Sequence, residues 1–165
     1  MKSNQVKKIV LNEEELLDLL REFFADISAP LMIGLRGALG AGKTTAVRLL
    51  AQILQSPDWV NSPSYILSQS YSTPHEFTLE HWDLYRLNGE LPIELEQELE
   101  QSDCVFLVEW IDRFPALVER SDILVDLKII SEQAREVTIS SDLELRRTSF
   151  NFSDDSFKDK SQSDK

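Results

Sequence analysis

Cysteine and histidine are scarce in this 165-residue chain, which contains one Cys and two His residues. A single cysteine excludes an intrachain disulfide. Because Cys104 lies inside the apolar run 104–108, we expect it to be a small buried hydrophobic residue and not a reactive thiol. His75 and His81 do not complete a Cys/His metal-binding set with it.

Long hydrophobic runs are also missing. No apolar stretch approaches the roughly 20 residues of a membrane-spanning helix, and the first residues, MKSNQVKK, lack the apolar core of a signal peptide. The length and the 42% hydrophobic content suit one soluble domain, which we expect over residues 1–148, in the cytoplasm and without a membrane partner. The polar residues 149–165 are expected to form a disordered tail.

Positive charge is in short supply. The chain has 17 Lys and Arg residues against 29 Asp and Glu residues, which gives a formal net charge of -12. Since nucleic-acid binding depends on neutralising phosphates with basic side chains, this balance disfavours an extended DNA or RNA surface. We therefore expect no DNA partner, and any RNA on which the protein acts should be held by a partner protein.

A glycine-rich stretch at residues 37–45 lies between a strand pattern and a helix pattern. Apolar residues 31–35 precede it, and apolar residues recur at helical spacing over 46–54. The stretch fits the phosphate-loop spacing G-x-x-x-x-G-K-[ST]. A glycine-rich turn before a lysine is the alternative, but the four fixed positions coincide by chance in roughly one chain of this length in a hundred or fewer. The stretch consists of Gly37, Ala38, Leu39, Gly40, Ala41, Gly42, Lys43, Thr44 and Thr45.

Each fixed position of this loop has a physical role. Glycines allow the backbone to bend and to approach an anion closely. Successive N–H groups then point at the phosphates, assisted by the positive end of the following helix dipole. Lys43 is expected to reach the β- and γ-phosphates, and the hydroxyl of Thr44 is expected to bind Mg²⁺.

The apolar run 104–108 ends in Glu109 and Trp110. A strand that ends in a carboxylate is the Walker B pattern, which places a charge beside the magnesium ion at the carboxyl edge of a parallel sheet. The pattern is common by itself, but after a phosphate loop it predicts a metal or water role for Glu109. Trp110 either covers the nucleotide or fills the rim of the core.

Two further segments carry candidate site residues. Ser62 and Ser64 lie in a loop after the first motif helix, where nucleotide hydrolases often place a hydroxyl that senses the γ-phosphate; an ordinary connecting turn is the alternative that Ser and Pro favour. At the end of a predicted strand, Asp83 would hold or orient a water and Arg86 would neutralise phosphate charge. A strand-end ion pair between Asp83 and Arg86 is the equal alternative.

Hydrophobic periodicity predicts an α/β fold. Asn12 as N-cap and Glu15 as its capping-box partner predict a helix over 13–24. The other predicted elements are an N-terminal strand within 2–11, hairpins of 65–71 with 76–85 and of 123–130 with 134–140, and helices over 91–101 and over 111–120, the latter interrupted by Pro115. Together they predict a P-loop NTPase-like three-layer fold: a central mixed sheet with a parallel core and antiparallel hairpins, and helices on both faces.

The nucleotide class follows by exclusion. The guanine-specifying pattern [NT]-K-x-D is absent, so ATP is the expected nucleotide. Little room is left between the phosphate loop and the closing hairpin for the lid and substrate pockets of a small-molecule kinase.

Four segments, taken in order, resemble one family. They are the loop at 37–45, Ser-Pro-Ser-Tyr at 62–65, His-Trp-Asp-Leu-Tyr-Arg-Leu at 81–87, and Glu-Trp at 109–110. In this order and at these intervals they closely resemble the TsaE (YjeE) ATPase family, and the resemblance covers about residues 6–140.

The resemblance implies a bacterial cytosolic ATPase required for threonylcarbamoylation of the adenosine next to the anticodon in tRNAs that read ANN codons. Its partners would be TsaD and TsaB, on whose assembly the activity depends. It also implies that Lys43 binds phosphate, that Thr44 and Glu109 bind Mg²⁺, that Asp83 is the essential acidic residue, and that Trp110 flanks the nucleotide.

The chain departs from the family pattern at several positions. Ala38 replaces a common Asp, which removes a charge but no backbone donor. Asn61 and Ser64 replace threonines of the switch-like loop; Ser64 keeps a hydroxyl, while Asn61 puts a threonine-specific role in doubt. A glycine common in the acidic helical region is missing, so partner contacts there cannot be carried over.

Three functional hypotheses follow from the sequence. The leading one is an enzyme that hydrolyses Mg-ATP within a tRNA-modifying complex. The second is a non-catalytic module whose nucleotide state controls assembly. The third, which the short chain disfavours, is a small-molecule kinase.

Overall fold

The computed structural model describes residues 4–141. Seven strands and four α-helices form this part of the chain, with one 3₁₀ helix at Ile111–Arg113. In chain order they are β1 Asn4–Val10, α1 Glu13–Phe24, β2 Leu31–Arg36, α2 Lys43–Ile53, β3 Ser68–Tyr71, β4 Thr78–Asp83, α3 Ile93–Glu98, β5 Cys104–Glu109, α4 Pro115–Arg120, β6 Ile123–Ile129 and β7 Arg135–Ser141.

All seven described strands belong to one sheet, in the order β1-β7-β6-β2-β5-β4-β3. The central strands β6, β2, β5 and β4 run parallel, whereas β1, β7 and β3 pair antiparallel with their neighbours. The predicted mixed sheet with a parallel core is therefore confirmed. Because β2 and β4 flank β5 and run parallel to it, the carboxyl ends of these three strands meet at one edge of the sheet.

Helices cover both faces of the sheet, as the sequence predicts. On one face, α1 and α2 pack on the sheet and form an apolar layer with it, to which Leu20 of α1, Leu50 of α2 and Leu107 of β5 contribute. On the other face, the 3₁₀ helix, α3 and α4 pack over a second cluster that includes Trp82 and Phe106. This arrangement confirms the three-layer α/β fold, and the predicted burial of Cys104 is confirmed as well.

The start of α1 shows why the sequence locates it well. The Asn12 side chain accepts a hydrogen bond from the Glu15 N–H at 2.9 Å, and the Glu15 carboxylate accepts one from the Leu11 N–H at 2.9 Å. The first bond satisfies an N–H group that a helix start leaves free, and the second ties the residue before the cap to the first turn. The helix spans Glu13–Phe24, as predicted.

Several predicted boundaries differ from the structure; the strand predicted over 76–85, for example, spans Thr78–Asp83. The strand predicted to begin at residue 65 begins at Ser68, because the Ile66 and Leu67 N–H groups bond the Pro63 carbonyl in a turn. Pro115 starts α4 instead of interrupting a longer helix, which is the helix position where a missing N–H costs least. The predicted 91–101 helix is confined to α3, six residues long.

Within the described residues, none of the helices is long and apolar enough to cross a membrane. The predicted domain boundary at residue 148 and the predicted tail at 149–165 lie outside the described residues.

Candidate functional site: a phosphate loop beside two buried carboxylates

The phosphate loop connects β2 to α2 and rests on β6. Gly37 has φ +152°, and a Cβ at this position would lie 2.5 Å from the carbonyl oxygen of Leu127. Both the backbone conformation and the close approach require glycine here. Gly40 and Gly42 also have positive φ, so the loop bends where the sequence predicts that it should.

Lys43 is buried beneath this loop. Its Nζ donates to the carbonyl oxygens of Gly37 at 2.7 Å and Ala38 at 3.0 Å, and it lies 3.7 Å from the centre of the Trp110 ring. Burial lowers the pKa of Lys43, and the nearby carboxylates of Glu109, Asp112 and Asp83 partly oppose this shift. An anionic ligand at the loop would stabilise the charged form of this ammonium.

Glu109 ends β5 next to the loop and is only 2% exposed. Its carboxylate accepts the Thr44 hydroxyl, with Thr44 Oγ1 at 2.8 Å from Oε1 and 3.0 Å from Oε2. The same oxygen, Oε1, lies 2.8 Å from His81 Nε2, and His81 Nδ1 lies 3.0 Å from the Tyr71 hydroxyl. The side chains predicted to hold Mg²⁺ are thus in direct contact across 65 residues of sequence.

Asp83 ends β4 and pairs in register with Glu109 on β5. Its Oδ2 accepts hydrogen bonds from the hydroxyls of Ser62, at 3.2 Å, and Ser64, and its Oδ1 accepts the Tyr85 N–H at 2.9 Å. The loop that contains Ser62 and Ser64, called the serine loop below, is therefore fixed to the strand end that carries Asp83.

Trp110 and Tyr85 form an aromatic wall beside Lys43. Trp110 has a left-handed backbone with φ 59°, a conformation that is unfavourable for a bulky residue and that often marks functional sites. Its ring lies 4.8 Å from that of Tyr85. Arg86, in contrast, stacks on Tyr65 at 4.3 Å. The described residues contain no ion pair between Asp83 and Arg86, so that alternative is not observed.

These groups line a cavity of about 300 Å³ in front of the loop. Its lining residues are Leu39, Gly40, Gly42, Lys43, Thr44, Thr45, Ser62, Ser64, Asp83, Tyr85, Glu109 and Trp110. All except Tyr85 are predicted site residues. Of the remaining predicted residues, Gly37 and Ala38 contact Lys43 through their carbonyls, Ala41 is buried behind the loop, and Arg86 lies outside the lining.

The donor set fits Mg²⁺ held together with a phosphate ligand. Mg²⁺ prefers oxygen ligands and is usually bound by one or two protein groups plus substrate phosphates and waters. Thr44 and Glu109 supply a hydroxyl and a carboxylate at one point of the cavity. Across the described residues, no group of three or more His, Cys, Asp or Glu side chains is arranged to hold a metal by itself.

Sequence reasoning missed three residues that shape the site: His81, Tyr71 and Tyr85. The strand period offered a signal for His81, because residues 81 and 83 lie on the same face of β4, with the core residue Trp82 between them. Tyr85 lies beyond the end of β4, where strand alternation gives no signal. No local signal marks Tyr71, whose role depends on the β3–β4 register that pairs Tyr71 with Leu79.

A phosphate loop between a parallel strand and a helix, beside a carboxylate at the end of the neighbouring parallel strand, defines a protein of the P-loop nucleotide-binding class. A family model described as "Threonylcarbamoyl adenosine biosynthesis protein TsaE" matches residues 10–137. The chain belongs to the TsaE family, which confirms the resemblance found in its sequence.

Individual relatives agree with this assignment. The chain is 33% identical over 136 residues to the tRNA threonylcarbamoyladenosine biosynthesis protein TsaE of Rickettsia bellii, covering 81% of this chain and 94% of the relative. It is also 33% identical over 137 residues to the protein of the same name from Aquifex aeolicus, covering 81% and 96%. The crystal structure of YdiB from Bacillus subtilis shares the fold, with a TM-score of 0.65 at 24% identity over 84% of this chain and 86% of that one.

Proposed function

We propose that this protein binds Mg-ATP in the cavity and hydrolyses it as the ATPase of tRNA threonylcarbamoyladenosine biosynthesis. The step it serves is threonylcarbamoylation of the adenosine next to the anticodon in ANN-reading tRNAs, in the cytoplasm, with TsaD and TsaB as partners. The observation that carries the proposal is the contact of Thr44 with Glu109 beside the buried ammonium of Lys43. Membership of the TsaE family supports the tRNA-modification role.

In this proposal, different residues of the cavity bind different parts of Mg-ATP. The loop N–H groups and the N-terminus of α2 donate hydrogen bonds to the phosphates, and Lys43 neutralises charge on the β- and γ-phosphates. Thr44 and Glu109 hold Mg²⁺ through oxygen atoms. The bound ion supplies electrostatic stabilisation of the charge that develops during phosphoryl transfer. Trp110 flanks the nucleotide, next to the ammonium that it already contacts.

Asp83 orients the attacking water in this proposal. Its carboxylate is 3% exposed, faces the cavity and is fixed by three hydrogen-bond donors: two serine hydroxyls and one N–H group. Because Ser62 and Ser64 bond this carboxylate, a movement of their loop on nucleotide binding changes the position of Asp83. Arg86 stacks on Tyr65, the residue after Ser64, and we propose that it moves with this loop and so approaches the phosphates.

In this proposal, the partner proteins bind beside the opening of the cavity. Leu39 on the phosphate loop is 73% exposed, and Tyr65 next to the serine loop is 84% exposed. Large apolar side chains at such positions are typical of protein contacts that exclude water. The net charge of -12 supports protein partners as the direct contacts, with tRNA bound elsewhere in the assembly.

The test is labelled-ATP turnover and tRNA modification in a reconstituted mixture of this protein, TsaD, TsaB and tRNA. Wild-type protein should transfer the labelled γ-phosphoryl group to water, which gives inorganic phosphate. Lys43→Ala should lower this turnover by roughly a hundredfold or more, the scale of losing a charged phosphate contact. Glu109→Gln should bind ATP and fail to turn it over. Glu22→Gln, a matched loss of charge at an exposed position of α1, should behave as wild type.

Other outcomes decide between the alternatives. Absence of turnover with all partners present, or an unchanged rate for Lys43→Ala, would contradict the enzyme. Repeated modification cycles supported by a Glu109→Gln protein that binds ATP without hydrolysing it would identify a nucleotide-dependent assembly module. Transfer of label to a small molecule instead of water would identify a kinase.

A further inference from the structure

Arg135, the first residue of β7, joins two segments that are far apart in sequence. Its Nη1 points toward the carbonyl oxygens of the preceding turn: Ser131 at 2.9 Å, Glu132 at 3.3 Å and Ala134 at 3.1 Å. The opposite edge of the guanidinium reaches the phosphate loop. Nε donates to the Ala41 carbonyl at 3.2 Å, and Nη2 donates to the Gly40 carbonyl at 3.3 Å.

The turn that holds Arg135 is itself well ordered by hydrogen bonds. The N–H groups of Ile130 and Ser131 bond the Ala134 carbonyl at 3.0 and 3.2 Å, and the Ala134 N–H bonds the Ser131 hydroxyl at 3.0 Å. The guanidinium is planar and presents its donors in a fixed fork. Because the ordered turn holds one edge of the Arg135 guanidinium, it also fixes the direction of the opposite edge.

The contacts with the loop set the orientation of two peptide units. A trans peptide is planar, so its C=O and N–H groups point in opposite directions. When Arg135 holds the Ala41 carbonyl on the outside of the loop, the N–H of Gly42 faces the inside, where it belongs to the free N–H groups at the start of α2. The Gly40 contact likewise turns the Ala41 N–H inward, where it bonds the Ala38 carbonyl at 3.0 Å.

The same hairpin supports the loop at a second point. Gly37 lies against the Leu127 carbonyl of β6, with room for no Cβ. The β6–β7 hairpin thus contacts the loop at its beginning, through Leu127, and near its end, through Arg135. These two contacts make the hairpin the support on which the phosphate-binding conformation is built.

We propose that Arg135 is a positioning residue for phosphate binding: its bond to the Ala41 carbonyl turns the Gly42 N–H toward the phosphates, and its bond to the Gly40 carbonyl supports the loop turn in which the Ala41 N–H bonds the Ala38 carbonyl. The proposal rests on the proposed nucleotide function. Arg135 acts through the backbone of the loop and does not itself contact phosphate. Its positive charge adds a smaller, non-specific attraction for the anion.

The experiment compares Arg135→Lys and Arg135→Gln with a control, Arg21→Gln, in which the lost charge lies on α1 beside Asp18. ATP binding is measured by titration calorimetry, and the amide shifts of Ala41 and Gly42 are measured by NMR on the nucleotide-free proteins. Arg135→Gln should raise the Kd for ATP by about tenfold, the scale of losing charge-assisted hydrogen bonds. Arg135→Lys should raise it severalfold, because an ammonium lacks the fork that spans both edges.

The amide shifts should move in both Arg135 variants and stay unchanged in Arg21→Gln. A lowered melting temperature with an unchanged Kd would overturn the proposal by showing a structural role alone. Wild-type Kd and wild-type shifts in Arg135→Lys would overturn it by showing that charge suffices. If wild-type protein binds no ATP, the nucleotide function fails, while the amide shifts still decide whether Arg135 holds the loop. Should Arg135→Gln not fold, Arg135→Lys carries the test.

Discussion

A buried chain of polar side chains runs from the proposed metal site to the serine loop. Glu109 Oε1 contacts both the Thr44 hydroxyl and His81 Nε2. His81 contacts the Tyr71 hydroxyl, and that hydroxyl lies 3.1 Å from the Asn61 carbonyl at the start of the serine loop. Because the low dielectric of the interior strengthens such contacts, this chain fixes the orientation of Glu109.

Tyr71 provides a pH-dependent test of this chain. Its side chain is 1% exposed, and burial raises the pKa of Tyr71 to about 12 from an ordinary value of 10.0. A raised pKa means that the folded protein holds the proton more tightly than the unfolded chain, so this contribution is complete below pH 10.0 and is lost as the pH rises to about 12. The shift corresponds to about 2 to 3 kcal/mol.

The measurement is the free energy of unfolding of wild type and Tyr71→Phe between about pH 9 and pH 12. Since Phe does not ionise, the difference between the two proteins should change in favour of the variant across this window. Tyr65→Phe, at a residue that is 84% exposed, should show no such change relative to wild type. A difference between wild type and Tyr71→Phe that stays constant with pH would contradict the account.

At the scale of elements, β2 packs so closely on the 3₁₀ helix after Trp110 that it admits no side chain at Gly34. A Cβ there would lie 2.6 Å from Ile111 Cδ1 and 2.9 Å from Leu124 Cδ2. Gly34→Ala should therefore destabilise the protein by about 1–3 kcal/mol through overpacking. The measurement is urea unfolding, which gives the free energy of unfolding of each variant.

A double-mutant cycle with Ile111→Ala separates crowding from a general effect on β2. Removing the Ile111 side chain opens the space that the new methyl group needs. The double variant should therefore lose less unfolding free energy than the sum of the losses in the two single variants. Additive costs would show that contact with Ile111 is not the cause.

Much of the element pattern could be predicted because its causes are local. The Asn12 cap locates α1, and the phosphate-loop spacing locates the bend between β2 and α2. The direct contact of Thr44 with Glu109 could also be anticipated, since both side chains lie at the carboxyl edge of neighbouring parallel strands.

The remaining features depend on pairings that no local pattern reveals. Arg135 reaches the loop across 94 residues because β6 lies beside β2 and β7 beside β6. The hydrogen bond between His81 and Glu109 requires the register of β4 on β5, in which His81 faces Leu107. The predicted beginning of β3 at residue 65 is wrong, because the turn at Pro63, and not strand propensity, determines the conformation of residues 64–67.

At the scale of the whole molecule, a protein of net charge -12 is proposed to bind an anion. Its overall field opposes the approach of ATP, so the affinity must come from local groups: the loop N–H groups, the start of α2 and the Lys43 ammonium. Two buried carboxylates, Asp83 and Glu109, add negative charge at the same place. A divalent cation bound with the nucleotide relieves this repulsion, so binding should depend on Mg²⁺.

The most direct test of the proposed site is titration calorimetry of ATP into the isolated protein, with Mg²⁺ and with a chelator. We expect wild type to bind ATP more tightly with Mg²⁺, Glu109→Gln to lose most of this gain, and Lys43→Ala to weaken binding at least about tenfold in both conditions. Glu22→Gln should match wild type. Absence of ATP binding by wild type, or equal affinities for wild type and Lys43→Ala, would contradict the Mg-ATP site.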